Sequence, residues 1–213
     1  YIISVLSTVG GVGIYAISQR ISNLSFLFMT AIQKVYGPVV YSKMFSNNYD
    51  KGDKEIGKYL TPFAYFSVAG SLMVSLFSEE ALFVLAPPEY FSGLSVVNIL
   101  VISLSLGFFT KQPQIMYASK TKILSILTFV NFICTIFILY YFVNSFGLLG
   151  AAIGYLLVSI IYNALYVFLG QKYYKIEYEW VKLLAIYGML FFMGFSVIIL
   201  RAWDFTYINR LII

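Results

Sequence analysis

Six long apolar stretches alternate with short polar joints along the chain. The stretches cover residues 13–44, 60–79, 93–117, 123–143, 147–170 and 183–201. A helix needs about 20 residues to cross the hydrocarbon of a bilayer, which tolerates no unpaired backbone group. Because each stretch is about that long or longer, the pattern predicts an all-α fold: a polytopic transmembrane helix bundle with about six complete spanning helices.

Basic residues fall at every second joint. They are Lys43, Lys51, Lys54 and Lys58 in the first joint, Lys120 and Lys122 in the third, and Lys172, Lys175 and Lys182 in the fifth. The second joint carries Glu79, Glu80 and Glu89 and no base, and the fourth is uncharged. Lysine and arginine favour the cytoplasmic side of a membrane. The odd joints are therefore predicted to be cytoplasmic, in a multi-pass protein of the cell (cytoplasmic) membrane.

Composition supports this interpretation and excludes several functional classes. The chain is 61% hydrophobic and 11% charged, which is not the composition of a soluble domain. Its net charge of +5 is explained by lysines that the topology places beside lipid headgroups, so no nucleic-acid partner is predicted. It has no histidine and one cysteine, Cys134, which removes histidine-based catalysis and thiolate metal clusters. We therefore expect a protein that is not an enzyme and that uses no metal or cofactor.

The two ends of the chain suggest a longer protein. Residues 1–8 are apolar but too short to span a bilayer, and Tyr1 stands where an initiating methionine would be expected. We expect residues 1–213 to form a single transmembrane domain that follows a further part of the protein. The tail after Arg201 is expected to lie outside the cell or to continue into another span.

Glycine and proline mark positions where helices bend or touch. Gly37 and Pro38 interrupt the first span, where proline removes a backbone donor and a kink is expected. Pro62 lies in the first turn of the second span and is expected to bend it less. Gly150 and Gly154 form a GxxxG pair, which allows another helix to approach closely in lipid. Close packing within one bundle and homodimerisation both fit this pair.

Polar side chains at membrane depth occupy one side of the first span. Arg20 lies about 12 Å below the outer end of its span, too deep for easy contact with the surface. A guanidinium at this depth costs about 2.5–3.5 kcal/mol even on the mildest scale. Gln19, Asn23, Gln33 and Lys34 lie on the same side of the helix. The pattern predicts a wet, substrate-binding face, with a buried structural pair for Arg20 and a snorkelling Lys34 as the alternatives.

The third span adds Lys111 and Gln112, beside Pro113, to this candidate cavity. Lys111 lies about 13 Å from the cytoplasmic end that Lys120 marks. None of the nine acidic residues falls within a predicted span, so Arg20 and Lys111 have no carboxylate at their depth in this sequence. Unpaired cations in a water-lined cleft attract anions, and phosphate accepts several charge-assisted hydrogen bonds. Counterions from a missing part of the protein are the alternative.

Several short motifs, taken in order, resemble a known family. They are 13–20 (GIYAISQR), 31–38 (AIQKVYGP), 86–90 (APPEY), 117–122 (YASKTK) and 172–180 (KYYKIEYEW). Their order and spacing resemble the C-terminal half of the polysaccharide exporters or oligosaccharide flippases (Wzx-like) of the multidrug/oligosaccharidyl-lipid/polysaccharide (MOP) superfamily. The similarity covers nearly the whole chain.

The resemblance implies a protein of two helical lobes around a central cationic cavity, of which this chain is the C-terminal lobe. By resemblance, the complete protein flips undecaprenyl-diphosphate-linked oligosaccharide across the cytoplasmic membrane for surface polysaccharide biosynthesis. Arg20 matches the basic position of the first motif, whereas Lys111 matches no motif. The implied partners are the lipid-linked oligosaccharide diphosphate, membrane lipids and the missing N-terminal lobe. A multidrug and toxin exporter of the same superfamily and a membrane enzyme of envelope glycan synthesis are the alternatives.

Overall fold

The computed structural model of the chain describes residues 9–46, 54–111, 114–117 and 121–202. Its helices are α1 (Val9–Ser46), α2 (Lys54–Leu76), α3 (Ser78–Leu85), α4 (Leu94–Ser105), α5 (Gln114–Tyr117), α6 (Thr121–Tyr173) and α7 (Trp180–Ala202). Two 3₁₀ helices, Pro88–Gly93 and Leu106–Lys111, precede and follow α4. Each of these elements of the described chain is helical, which confirms the predicted all-α fold.

Four helical segments of the described chain are long and apolar enough to cross a membrane. They are Ile56–Leu76, Pro88–Thr110, Thr121–Tyr173 and Trp180–Ile199. These segments contain most of the second to sixth predicted spans. α1 is 38 residues long but is not among the four, because its serines, its amides and Arg20 lower its hydropathy. The structure thus contains apolar helices compatible with a membrane protein, and six complete spans remain a prediction.

Gly147 divides α6 into two arms. Its φ of 59° and ψ of −134° lie outside the helical region, in a part of conformational space that glycine alone enters readily. Residues 121–146 form the first arm and 148–173 the second, and each is about 39 Å long, enough for one span. Leu127 of the first arm and Tyr166 of the second belong to one buried cluster, so the arms run antiparallel. The single long helix is therefore a helical hairpin that accounts for two predicted spans.

The GxxxG pair closes this hairpin. Gly150 packs against the backbone carbonyl of Phe142, close to the turn. An added Cβ at Gly154 would lie 3.4 Å from the Cβ of Phe142 and 3.5 Å from Leu139, which is ordinary contact distance. Both glycines therefore face the first arm of the same chain. This is the arrangement that close packing within one bundle predicts.

α4 is the central helix of the bundle. It contacts α1, α2, α6 and α7, and 10 of its 12 residues are buried. Serines allow α1 to approach it closely: the Oγ of Ser18 lies 3.2 Å from the carbonyl oxygen of Gly93, and that of Ser22 lies 3.1 Å from the carbonyl oxygen of Val97. Small residues at such contacts suit packing in lipid, where apolar burial between helices gives little. These contacts between serine hydroxyls and backbone carbonyls hold α1 against the centre of the bundle.

Described residues beside the first and third joints meet the fifth joint at one end of the bundle, which is called the lysine end below. Near the third joint, the Nε2 of Gln114 donates a hydrogen bond of 2.6 Å to the carbonyl oxygen of Tyr174 in the fifth. The backbone of Glu177, also in the fifth joint, rests on Gly57 at the start of α2. Gly13, near the start of α1, instead contacts the second joint. The alternation of charge along the sequence thus corresponds to two ends in space.

The helix boundaries differ from the prediction in and near the joints. α2 begins at Lys54, within the lysine-rich joint, so Pro62 lies in its third turn and not in the first. α1 continues as a helix through Pro38, so the first span is not interrupted there.

The second joint contains a helix, α3, that the hydropathy pattern did not predict. Its first turn carries Glu79 and Glu80, which the helix dipole stabilises. Residues 1–8, 47–53, 112–113, 118–120 and 203–213, with the predictions made for them, lie outside the described residues.

Replacing Gly147 with alanine is expected to destabilise the protein by about 1–3 kcal/mol, because a residue with a Cβ is strained at this φ and ψ. No atom of the described chain lies within 4 Å of an added Cβ, so the loss would come from backbone strain and not from crowding. The measurement is the apparent melting temperature of the purified protein in lipid nanodiscs. The control is Gly188→Ala, which has the same free space but lies within α7, where alanine favours the helix. Equal melting temperatures for the two variants would contradict the expectation.

Candidate functional site

A polar cleft of about 500 Å³ lies between α1, the segment from the end of α4 into its following 3₁₀ helix, and both arms of α6. Its polar wall includes six side chains, which define the polar cleft below: Gln33, Thr128, Asn131, Ser159, Tyr162 and Asn163. Phe26 and Thr128 are exposed, so the cleft opens at the surface of the bundle. A volume of this size is typical of small-molecule sites.

The spacing of polar residues along α6 explains why they meet in the cleft. On the first arm, the lining residues are Leu124, Thr128, Asn131 and Thr135, which recur every three or four positions and so share one helix face. On the second arm, Tyr155, Ser159, Tyr162 and Tyr166 repeat the same spacing. Because the arms are antiparallel neighbours, the two polar stripes face a common space.

The cleft extends along α6 from near the lysine end to the middle of the first arm. Along α6, Thr128 lies about 9 Å and Thr135 about 20 Å beyond Lys122, at 1.5 Å per residue. The hydrocarbon core of a bilayer is about 30 Å thick. If α6 crosses a membrane, the cleft therefore reaches its middle, where a polar wall is costly unless it contacts water, protein or a polar ligand.

The hydroxyl groups of the first arm donate to their own helix. The Oγ1 of Thr128 donates to the carbonyl oxygen of Leu124 over 2.9 Å, and the Oγ1 of Thr135 donates to that of Asn131 over 2.6 Å. A threonine hydroxyl has one hydrogen and two lone pairs. The oxygens of both threonines therefore remain available as acceptors.

Several amides and hydroxyls of the cleft have no hydrogen-bond partner in the described part of the chain. Asn163 is 7% exposed; its Nδ2 donates to the carbonyl oxygen of Ser159 over 2.7 Å, but its Oδ1 has no donor. The side-chain amides of Gln33 and Asn131 and the hydroxyl of Tyr162 also lack partners among the described residues. A buried polar atom without a partner costs about 1–3 kcal/mol. The cleft is therefore lined by hydrogen-bonding capacity that the protein itself does not use.

The described lining of the cleft carries no charge. Its residues include neither an acid nor a base. Throughout the described residues, no group of three or more histidine, cysteine, aspartate or glutamate side chains is placed to hold a metal ion. The arrangement can therefore recognise an uncharged polar group through hydrogen bonds, with Phe26 and the tyrosines as apolar walls.

The predicted cavity residues of α1 lie in two different places. Gln33 is half-buried and lines the cleft. Gln19, Arg20, Asn23 and Lys34 are exposed and do not line it. These four exposed residues share the outer side of α1 with apolar residues. Leu27, for example, lies midway between Arg20 and Lys34 and is 60% exposed.

Arg20 and Lys34 lie two heptads apart, about 21 Å along the axis of α1. Neither forms an ion pair with another described residue. Gln112 and the side chain of Lys111 lie outside the described residues. The backbone of Lys111 ends the 3₁₀ helix that contributes Thr110 to the cleft wall.

The sequence interpretation missed the polar residues of α6. Thr128, Asn131, Ser159 and Asn163 lie within predicted spans, and their spacing of three or four residues was visible in the sequence. Single hydroxyls and amides are common in membrane helices, whereas a charged residue at depth is costly and draws attention first. A search for repeated neutral polar residues on one helix face would have found them.

Hydrogen bonds and burial organise the lysine end between α6 and α7. The Nζ of Lys182 donates to the Oε1 of Glu179 over 2.6 Å. This bond first, and the nearby hydroxyl of Thr61 second, lower the pKa of the Glu179 carboxyl. Burial raises the pKa of the Tyr178 hydroxyl, which donates to the Oε1 of Gln114 over 3.4 Å. These contacts fix the fifth joint against α2 and α5 and leave it outside the cleft.

Comparison of the chain with protein-family models, with curated proteins and with solved structures found no match.

Proposed function

We propose that this chain is one lobe of a membrane transporter that flips lipid-linked (undecaprenyl-diphosphate) oligosaccharide across the cytoplasmic membrane for surface polysaccharide biosynthesis. The motifs quoted above suggest the family, and the all-helical fold with apolar helices of spanning length is compatible with it. The observation that carries the proposal is the exposure of Arg20 on α1, without an ion pair in the described chain.

The exposure of Arg20 supports an anionic substrate for a physical reason. An arginine that faced lipid at this depth would cost several kcal/mol, about 2.5–3.5 on the mildest scale. The described helices do not cover it, so water, a second lobe, another part of the chain or a ligand must do so in the membrane. A diphosphate offers oxygens that a guanidinium can bind through paired, charge-assisted hydrogen bonds.

Two cations on one helix also suggest a path for the diphosphate of the substrate. Arg20 and Lys34 mark positions about 21 Å apart on the same side of α1, with Lys34 nearer the lysine end. In the proposed mechanism, the diphosphate moves between these positions while the lipid tail stays in the bilayer. A second lobe opposite α1 opens the path to one side of the membrane at a time. A multidrug exporter for cations would favour acids at depth, and the described cleft contains none.

The test is Arg20→Ala in the full-length protein, reconstituted in proteoliposomes with a fluorescent undecaprenyl-diphosphate-linked oligosaccharide. The initial rate of flipping is expected to fall at least tenfold, because the diphosphate loses its charged partner. Arg20→Lys should retain part of the rate, since it keeps the charge but not the paired hydrogen bonds. Lys172→Ala, an exposed lysine at the end of α6, is the matched control and should flip normally. An unchanged rate in Arg20→Ala at equal protein content would overturn the proposal.

A further inference from the structure

The polar cleft and the cations of α1 offer different chemistry at different places. Arg20 and Lys34 are exposed on the outer side of α1, whereas the cleft lies among α1, α4 and both arms of α6 and has no charge in its described lining. A diphosphate bound to the cations would leave the cleft without a role. A ligand that carries both a charged and an uncharged polar part can use both places.

We propose that the polar cleft binds the uncharged, polyhydroxylated part of a ligand, that is, a sugar. This inference rests on the proposed function, because it assigns the oligosaccharide of the substrate to the cleft and the diphosphate to the cations. The cleft would then select among sugars, and Gln33 and Asn131 would be residues that determine specificity.

The open acceptors of the cleft separate a sugar from a phosphate by hydrogen-bond chemistry. The hydroxyls of Thr128 and Thr135 donate their hydrogens to their own helix, so towards a ligand they can only accept. An ionised phosphate only accepts hydrogen bonds and cannot pair with them, whereas a sugar hydroxyl donates one and accepts others. The Oδ1 of Asn163 also has no donor in the described chain, but it is shielded from solvent and therefore also from a ligand in the cleft. The open acceptors favour a ligand that carries donors.

The other free groups of the cleft have the same dual character. The amides of Gln33 and Asn131 each offer donors and an acceptor, and the hydroxyl of Tyr162 offers one of each. A sugar presents both kinds of group around its ring, so these residues can pair with it without leaving an atom unsatisfied. A ligand cation would find no balancing carboxylate in the described lining.

The apolar part of the lining fits the same ligand. Phe26 lies in the wall, and the rings of Tyr162 and Tyr166 are 6.4 Å apart at an angle of 57°. A sugar ring has apolar C–H faces between its hydroxyls, and these can pack on aromatic surfaces while the hydroxyls reach the amides. The volume of about 500 Å³ suits a group of this kind.

The test measures sugar binding directly, without transport. The full-length protein is placed in lipid nanodiscs, free of sugar-based detergent, and saturation-transfer NMR is recorded with two neutral probes, the trisaccharide of N-acetylglucosamine and maltotriose. Saturation transfer is expected for at least one probe. Asn131→Leu and Gln33→Leu, both at half-buried positions of the cleft wall, should each reduce it at least fivefold. Ser125→Ala, an exposed serine on the same arm outside the cleft, is the matched control and should leave the signal unchanged.

The outcomes distinguish this inference from the proposed function. No transfer to either probe, or equal transfer in wild type and Asn131→Leu, would overturn the sugar site. Arg20→Ala should keep the sugar signal and lose flipping, which would support separate sites for the two parts of the ligand. A wild-type protein that gives the cleft-dependent signal but does not flip the lipid-linked oligosaccharide would refute the proposed function and leave the sugar site standing.

Discussion

Replacing Gly150 with alanine is expected to lower the free energy of unfolding by about 2–3 kcal/mol, because it forces the hairpin of α6 apart. A Cβ at this position would overlap the carbonyl oxygen of Phe142 and come within 3.0 Å of the Cβ of Phe146. A backbone carbonyl cannot rotate away as a flexible side chain can, so the two arms must separate near the turn. The apparent melting temperature in lipid nanodiscs should fall by about 4–12 °C.

Gly154 provides the matched control for this change. It is the second glycine of the same GxxxG pair, but its nearest neighbours lie at 3.4 and 3.5 Å from an added Cβ, so alanine fits without displacement. Gly154→Ala should therefore change the melting temperature by less than about 3 °C, with any gain coming from helix propensity. Equal losses for the two variants would show that the motif acts symmetrically, and that the hairpin is not packed as described.

The same change should also weaken the polar cleft. The first arm contributes Thr128 and Asn131 to its wall and the second contributes Ser159 and Asn163, so the distance between the arms sets the width of the cleft. Gly150→Ala should therefore reduce saturation transfer to the sugar probes although it replaces no lining residue. Stability and binding are linked here because one glycine contact positions both polar stripes.

The arrangement of the helices followed largely from local properties of the sequence. Apolar runs of about 20 residues indicated the approximate positions of the long helices, and the lysines of alternate joints indicated which helix ends lie near one another. The hydrogen bond from Gln114 to Tyr174 places the end of the third predicted span beside the fifth joint. The pattern did not reveal α3, because its eight residues are too few for a reliable helical period and Pro87 and Pro88 follow closely.

The candidate site was harder to predict because tertiary contacts create it. Arg20 and Gln33 stood out individually, since polar groups at membrane depth are costly. Asn131 and Asn163 are 32 positions apart, and only the reversal at Gly147 brings their helix faces together. The sequence predicts Gln19, Arg20 and Gln33 on a single wet face, which stays a prediction. In the structure Gln33 lines the cleft, and the other two are exposed on α1. Small rotations of α1 about its axis decide which of its side chains face the cleft, and hydropathy does not determine these rotations.

Replacing Gly57 with alanine is expected to cost about 3 kcal/mol or more, because the added methyl group meets backbone on the neighbouring joint. A Cβ at this position would overlap the carbonyl oxygen of Glu177, lie 2.7 Å from its carbonyl carbon and 3.3 Å from the nitrogen of Tyr178. Relief requires either the start of α2 or the whole fifth joint to move. We expect a lower apparent melting temperature in nanodiscs and a larger fraction of aggregated protein on size-exclusion chromatography.

The fifth joint cannot yield easily, because side chains hold the backbone just before Glu177. The amide of Gln171 makes two hydrogen bonds with the backbone of Ile176, at 2.8 and 2.9 Å, and Gln114 holds the carbonyl of Tyr174. Gly37→Ala is the matched control, since no atom of the described chain lies within 4 Å of its added Cβ. That variant should be neutral or stabilised by up to about 1 kcal/mol through helix propensity. If Gly57→Ala melts at the same temperature as Gly37→Ala, the fifth joint does not rest on α2, and the packing that gathers the lysine joints at one end of the bundle is wrong.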